Sequence, residues 1–162
     1  MPSVLFVCTA NQFRSPIAAA CFLKALEQEH AAETWIVESA GTWTKNGMPA
    51  AKIALQTARQ LGVHGLYGHR TRQISQDLLN QYDLVIMMER GHKESISIEF
   101  PSERQRLYLL SEIVDGVAYD IPDPGERGIH ANDVGRELSL LITRGKEKIL
   151  QLAKSLSRLG SR

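Results

Sequence analysis

Apolar residues fall in two spacings along this chain. Short apolar runs occur at Ser3 to Val7, Trp35 to Val37, Tyr82 to Met88 and Arg106 to Leu110. Runs of this length, apolar on both faces, suit strands of a parallel sheet covered by helices on each side. The Leu84-Val85-Ile86-Met87-Met88 core is the clearest of them. Longer amphipathic stretches lie between and after the runs. Ser15 to Glu29 carries Ile17, Ala20, Cys21, Lys24 and Ala25 close to helical spacing, with Pro16 tolerated in the first turn. Further helices are predicted over Ala50 to Leu61, Ser75 to Asn80, Glu89 to Ser97 and Asp133 to Leu159, the last apolar on one side and rich in Lys, Arg and Glu on the other. Ser39-Ala40-Gly41-Thr42 ends the second strand, Gly62, Gly65 and Gly68 interrupt the middle of the chain, and Asp115 to Gly128 reads as a loop.

This alternation predicts an α/β fold. The expected architecture is a single domain over residues 1–162: a doubly wound four-stranded parallel sheet with right-handed crossovers and helices on both faces. Ligands of such sheets bind beyond the carboxyl ends of the strands. Cys8, Ser39 and the acidic loop from Asp115 fall at three of those ends.

Composition narrows the classes of function. The 162 residues carry 19 Lys and Arg against 18 Asp and Glu, a net charge of +1 that argues for neither nucleic acid nor an anionic membrane as partner. No apolar stretch approaches the roughly 18 residues that span a bilayer. The start of the chain has no basic region or cleavage site of a secretory signal, and its two cysteines form no disulfide framework, so a cytoplasmic location is expected. The five histidines show no paired metal-ligand spacing, and no metal or other cofactor is expected.

The strongest chemical signal is Cys8-Thr9-Ala10-Asn11-Gln12-Phe13-Arg14-Ser15, set between the first strand and the first helix. Successive backbone N–H groups in such a loop turn inward and form an anion-binding nest, to which the helix N-terminus adds its own unpaired N–H groups. Arg14 supplies a guanidinium able to grip two phosphate oxygens. The same positive field favours a thiolate at Cys8. A nucleophile and an oxyanion clamp on one loop predict phosphoryl transfer, with Cys8 and Arg14 as catalytic residues and Thr9, Ala10, Asn11, Gln12, Phe13 and Ser15 as phosphate-binding positions.

This loop, followed by Pro16 and joined by a late Asp123-Pro124, resembles the signature of the low-molecular-weight protein tyrosine phosphatases. Ser39-Ala40-Gly41-Thr42, Gly68-His69-Arg70-Thr71-Arg72-Gln73 and the strand from Asp83 ending in Met88-Glu89-Arg90 are similar to further segments of that family, in the same order along the whole chain. The resemblance implies a flavodoxin-like sheet and a cysteinyl-phosphate intermediate on Cys8. Asp123 is then the general acid for the leaving oxygen, with Asp115 and Asp120 as rivals in the same loop. It also implies that Ser15 hydrogen-bonds the Cys8 sulfur, and that Asn11 ties Ser15, Ser39 and His69 into loop support. Trp43 is implied as an aromatic wall of the substrate cleft, although ordinary loop packing explains it equally well. The implied partner is a phosphotyrosine-containing protein, by family analogy a bacterial tyrosine kinase.

Three departures from the family pattern stand out. Ala10 occupies the usual glycine position two residues after the nucleophile, and Phe13 replaces the usual second cysteine. Gly125-Glu126-Arg127 follows Asp123-Pro124 where many members carry a tyrosine pair. Cys21 reads as core packing, since seven residues along a helix put it about 10 Å from the loop. Two other functions compete with tyrosine phosphatase: an arginine phosphatase of the same family, because Gln12 matches neither branch, and a silent phosphate-binding module. Arsenate reduction lacks its cysteine relay, and a phosphocysteine carrier needs no general acid.

Overall fold

The computed structural model of the protein describes residues 1–126 and 128–160. Four strands form one parallel sheet: β1 (Ser3–Cys8), β2 (Ile36–Gly41), β3 (Leu84–Met87) and β4 (Leu107–Leu109). Their order is β2-β1-β3-β4, so the chain reverses its direction of winding beside β1. That reversal opens a crevice at the carboxyl ends of β1 and β3, where ligands of such sheets bind. Each residue of β1 and β3 is buried, as expected of strands covered on both faces. The register is pinned at the amino end. The Ser3 backbone N–H and hydroxyl reach Asp83 Oδ2 at 2.9 and 3.1 Å, and the Asp83 backbone N–H donates to Ser3 Oγ at 2.9 Å.

The helices are α1 (Arg14–Gln28), α2 (Lys52–Leu61), α3 (Gln76–Leu79), α4 (Arg90–Glu99), α5 (Leu110–Asp115) and α6 (Ala131–Gly160). Phe6 and Phe22 stack edge to face between β1 and α1, and Trp35 extends the cluster. The apolar side of α6, including Val134, Leu138, Leu141 and Ile149, closes this larger core. A second core under Leu5, Val7, Val85 and Met87 joins Leu79, Ile96 and Leu109 on the opposite face. Among the described residues no helix is long and apolar enough to cross a membrane.

Two features differ from the pattern-based expectation. β2 continues through Ser39, Ala40 and Gly41 in register with Phe6, Val7 and Cys8, instead of ending before them. The stretch between the fourth strand and the expected acidic loop, to which the pattern assigns no element, forms α5, whose Val114 and Leu110 are buried in the core. Gly116, in a left-handed conformation, ends that helix.

Candidate functional site

The loop from Cys8 to Arg14 turns its carbonyls outward and its N–H groups inward. Cys8 and Thr9 carbonyls accept from Thr42 and Trp43 N–H at 2.9 and 3.0 Å, the Asn11 carbonyl meets His69 Nε2 at 2.7 Å, and the Gln12 carbonyl accepts from Ala51 N–H at 3.0 Å. Among the described residues, none of the backbone N–H groups from Thr9 to Phe13 has a protein acceptor. Donors left over inside such a turn make a nest for an anion. Asn11 permits the reversal, with φ at 60°, a region that Asn enters more readily than most residues.

Asn11 is completely buried and uses its whole amide. Nδ2 donates to Ser15 Oγ and Ser39 Oγ, both at 2.9 Å, and Oδ1 accepts from the Arg72 backbone N–H at 2.9 Å. Ser15 Oγ stands 3.0 Å from Cys8 Sγ and 3.3 Å from the Ala40 carbonyl. With Asn11 donating to Ser15 Oγ, the hydroxyl proton is left for the Cys8 sulfur or the Ala40 carbonyl. Gly41 presses against the back of the loop. A Cβ there would lie 2.5 Å from the Thr9 carbonyl oxygen, so β2 reaches this register only with glycine.

Arg14 is 2 % exposed, and its charge is met on several sides. Nη1 donates to Glu89 Oε2 at 2.8 Å and to the Ile121 carbonyl at 2.9 Å. Nη2 lies 3.4 Å from Thr9 Oγ1 and 3.7 Å from Asp123 Oδ2. One edge of the guanidinium is therefore anchored to α4 and the loop after α5, and the other faces the loop mouth. His92 completes the anchorage. Its Nδ1 accepts from the Glu89 backbone N–H at 3.2 Å, which leaves the proton on Nε2. Nε2 then donates to Thr9 Oγ1 at 2.8 Å, with Glu89 Oε2 at 3.2 Å. Burial holds the His92 pKa below its ordinary 6.5 against the pull of Glu89. His69 is likewise lowered, by burial and then by Arg72 and Arg70, while its bond to the Asn11 carbonyl works the other way.

A cleft of about 310 Å³ opens over Cys8. Ala10, Gln12, Phe13, Ile53, Asp123 and Pro124 contribute to its walls. Asp123 accepts from Gly125 N–H at 3.0 Å and keeps 46 % of its side chain exposed. Its two rivals face elsewhere. Asp120 is bound to Arg90, whose hydrogen bonds hold the carboxyl below its usual range, and Asp115 is bound to Tyr119 and Arg144. Gln12 donates to the Pro49 carbonyl at 3.2 Å. Trp43 is 84 % exposed, held near the loop by its backbone and absent from the cleft walls. Cys21 is buried on α1, where burial pushes its thiol up to about 11. Of the departures noted in the sequence, Arg127 lies outside the described residues. Among these, no three His, Cys, Asp or Glu side chains converge as metal ligands.

Glu89, His92, the Thr9 hydroxyl and the Ile121 carbonyl were not anticipated as parts of this site. Met88-Glu89-Arg90 marked the place, but nothing in a sequence couples residue 89 to residue 14 without the sheet order.

The low molecular weight phosphotyrosine protein phosphatase family profile matches residues 3–160. A protein-arginine-phosphatase of Geobacillus stearothermophilus is 34% identical over 147 residues, covering 90% of this chain and 95% of the relative. A putative low molecular weight protein-tyrosine-phosphatase of Klebsiella pneumoniae is 34% identical over 122 residues, 75% of this chain and 78% of the relative. Among solved structures, the tyrosine phosphatase Wzb from Escherichia coli K30, in complex with sulphate, superposes with a TM-score of 0.79 at 30% identity, covering 91% of this chain and 98% of its own. With the profile matched across the whole sheet and relatives of this identity covered through most of their length, the chain belongs to the low molecular weight phosphotyrosine protein phosphatase family.

Proposed function

We propose that the protein hydrolyses phosphotyrosine in proteins through a cysteinyl-phosphate on Cys8. The reading rests on one observation: a ring of backbone N–H groups without protein acceptors, closed by Cys8 at one end and Arg14 at the other. An oxyanion bound there meets preorganised donors and a fixed charge, the arrangement that stabilises phosphoryl transfer. In the first step the Cys8 sulfur attacks phosphorus in line, the S–P bond forms, and the P–O bond to the leaving group breaks. Asp123 gives that oxygen its proton. In the second step Asp123 takes a proton from water, which attacks phosphorus and releases Cys8 and phosphate. Phe13 and Ile53 supply apolar surface for the tyrosine ring, and exposed Trp43 serves at the outer rim. The partner this reading implies is a phosphotyrosine-bearing protein, with a bacterial tyrosine kinase among the candidates. A reducing compartment such as the cytoplasm suits Cys8 and Cys21, both free thiols.

Phosphoarginine is the second reading. It is favoured by Gln12, whose amide nitrogen is tied to Pro49 while its carbonyl oxygen has no donor among the described residues. That acceptor suits a guanidinium, and a relative of high coverage bears the arginine phosphatase name. Hydrolysis of matched phosphotyrosine and phosphoarginine peptides with chelator present decides between them. The tyrosine reading expects kcat/KM at least about tenfold higher for phosphotyrosine, roughly the 1.4 kcal/mol of a well-matched contact. Preference for phosphoarginine, lost in Gln12→Leu, would establish the second reading. No turnover of either peptide, with oxyanion binding retained, would leave a binding module.

A further inference from the structure

The molecule holds a second cavity, of about 360 Å³, on the other side of the loop support. One wall is apolar and built by Ala20 and Leu23 of α1, Val37 of β2, and Leu66. His64, His69, Arg70 and Arg72 also line the cavity. Arg72 is paired with Glu38 and also donates to Tyr82 Oη at 3.1 Å. Arg70 has no carboxylate partner among the described residues; its Nη1 donates only to the His69 carbonyl at 2.8 Å. The lining therefore holds two guanidinium groups against one carboxylate. His69 gives its Nε2 proton to the Asn11 carbonyl, and its Nδ1 has no protein partner among the described residues.

The cavity also touches the phosphate loop at its pivot. Three residues that line it each bond to Asn11, the one loop residue with a positive φ: His69 to its carbonyl, Arg72 to its Oδ1 and Ser39 to its Nδ2. Hydrogen bonds thus connect His69, Arg72 and Ser39 on the cavity to Asn11, and Asn11 through Ser15 to Cys8.

We propose that this cavity is a second ligand site, for a small organic anion with an apolar body and one carboxylate, and that its occupancy is coupled to oxyanion binding in the phosphate loop. The carboxylate pairs with Arg70 and the body lies on Ala20, Leu23 and Leu66. Cavities of a few hundred Å³ with an apolar lining and a few convergent polar groups are typical small-ligand sites. Coupling is reciprocal by linkage, so each ligand alters the affinity of the other by the same factor.

The test is an amide-detected NMR titration of the full chain with 2-naphthoate, run with and without saturating tungstate in the phosphate loop. Saturable shifts at Ala20, Leu23 and Leu66 that persist under tungstate are expected. Arg70→Glu should weaken this binding at least about fivefold, the order expected for reversing an exposed charge at the site. Leu23→Trp, which fills the apolar side from its rim, should block it by a different route. The naphthoate affinity should differ at least about threefold with and without tungstate. Shifts confined to Cys8 to Ser15 and abolished by tungstate would place the probe in the catalytic cleft and overturn the proposal. So would an affinity unchanged in Arg70→Glu, or no saturation up to about 10 mM. Equal affinities in the two conditions would overturn the coupling. Failure of tungstate itself to bind would count against the phosphate loop, while the titration without it still decides the second site.

Discussion

Replacing Asn11 by alanine removes three buried hydrogen bonds that hold the phosphate loop. The amide makes three hydrogen bonds at 2.9 Å, to Ser15, Ser39 and the Arg72 backbone, and is fully shielded from water. At about 1 kcal/mol for each buried neutral bond, their loss amounts to about 3 kcal/mol. Alanine must also hold φ at 60° without the polar side chain that eases Asn into this region, which adds about 1 kcal/mol. The expected total is about 4 kcal/mol, or a fall in Tm of roughly 8 to 16 °C for a chain of this length. Asn11→Gly separates the two contributions, since it loses the same bonds but tolerates the backbone angle. It should be about 1 kcal/mol more stable than Asn11→Ala. Urea unfolding at neutral pH measures both variants against the wild type, with an unchanged m-value required for the comparison. A cost below about 1 kcal/mol for Asn11→Ala would refute the reasoning, because hydrogen bonds so buried cannot then be holding the loop.

Two other predictions follow from titrating groups. His69 and His92 both have native pKa values below 6.5, so the unfolded chain binds their protons more readily. Their stabilising contribution is complete above pH 6.5 and is lost as pH falls toward the native values. Urea midpoints measured between about pH 7.5 and 5.5 should fall with acidity, and His92→Asn should fall less steeply; a flat wild-type profile would contradict this. Cys21, pushed up to about 11, should resist iodoacetamide in folded Cys8→Ser protein at neutral pH and react once urea unfolds the chain. Mild peroxide should yield no Cys8–Cys21 disulfide in the wild type; recovery of that cross-link would overturn the separation of the two thiols.

Much of the site could be read from the chain because its parts are local or sit at strand ends. Cys8 to Ser15 is one continuous turn, and β2 in register with β1 brings Ser39 and Gly41 against it. The residues that hold Arg14 were opaque for the opposite reason. Glu89 and Ile121 are 75 and 107 positions away and meet Arg14 only through the sheet order. Arg72 takes part through its backbone N–H, which no side-chain pattern encodes. The helix α5 was hidden by its brevity and by the Asp115-Gly116 pair at its end, yet burial of Val114 and Leu110 outweighs that local preference. Gly145 also reads as a weak point of α6. It lies in mid-helix because Val114 packs against it, where a Cβ would come within 2.3 Å of a methyl group.

In the proposed mechanism phosphate passes through the sulfur of Cys8, with Asp123 as the proton donor and acceptor. Rapid-quench trapping of a radiolabelled phosphoenzyme from Asp123→Asn, supplied with labelled para-nitrophenyl phosphate whose leaving group departs without a proton, is followed by peptide mapping. The account predicts that label accumulates on the peptide containing Cys8, because hydrolysis of the intermediate has lost its base. It also predicts that steady-state turnover falls by roughly 10² to 10⁴ relative to the wild type. Label on any other residue, or full turnover with no trapped phosphoenzyme in Asp123→Asn, would contradict it.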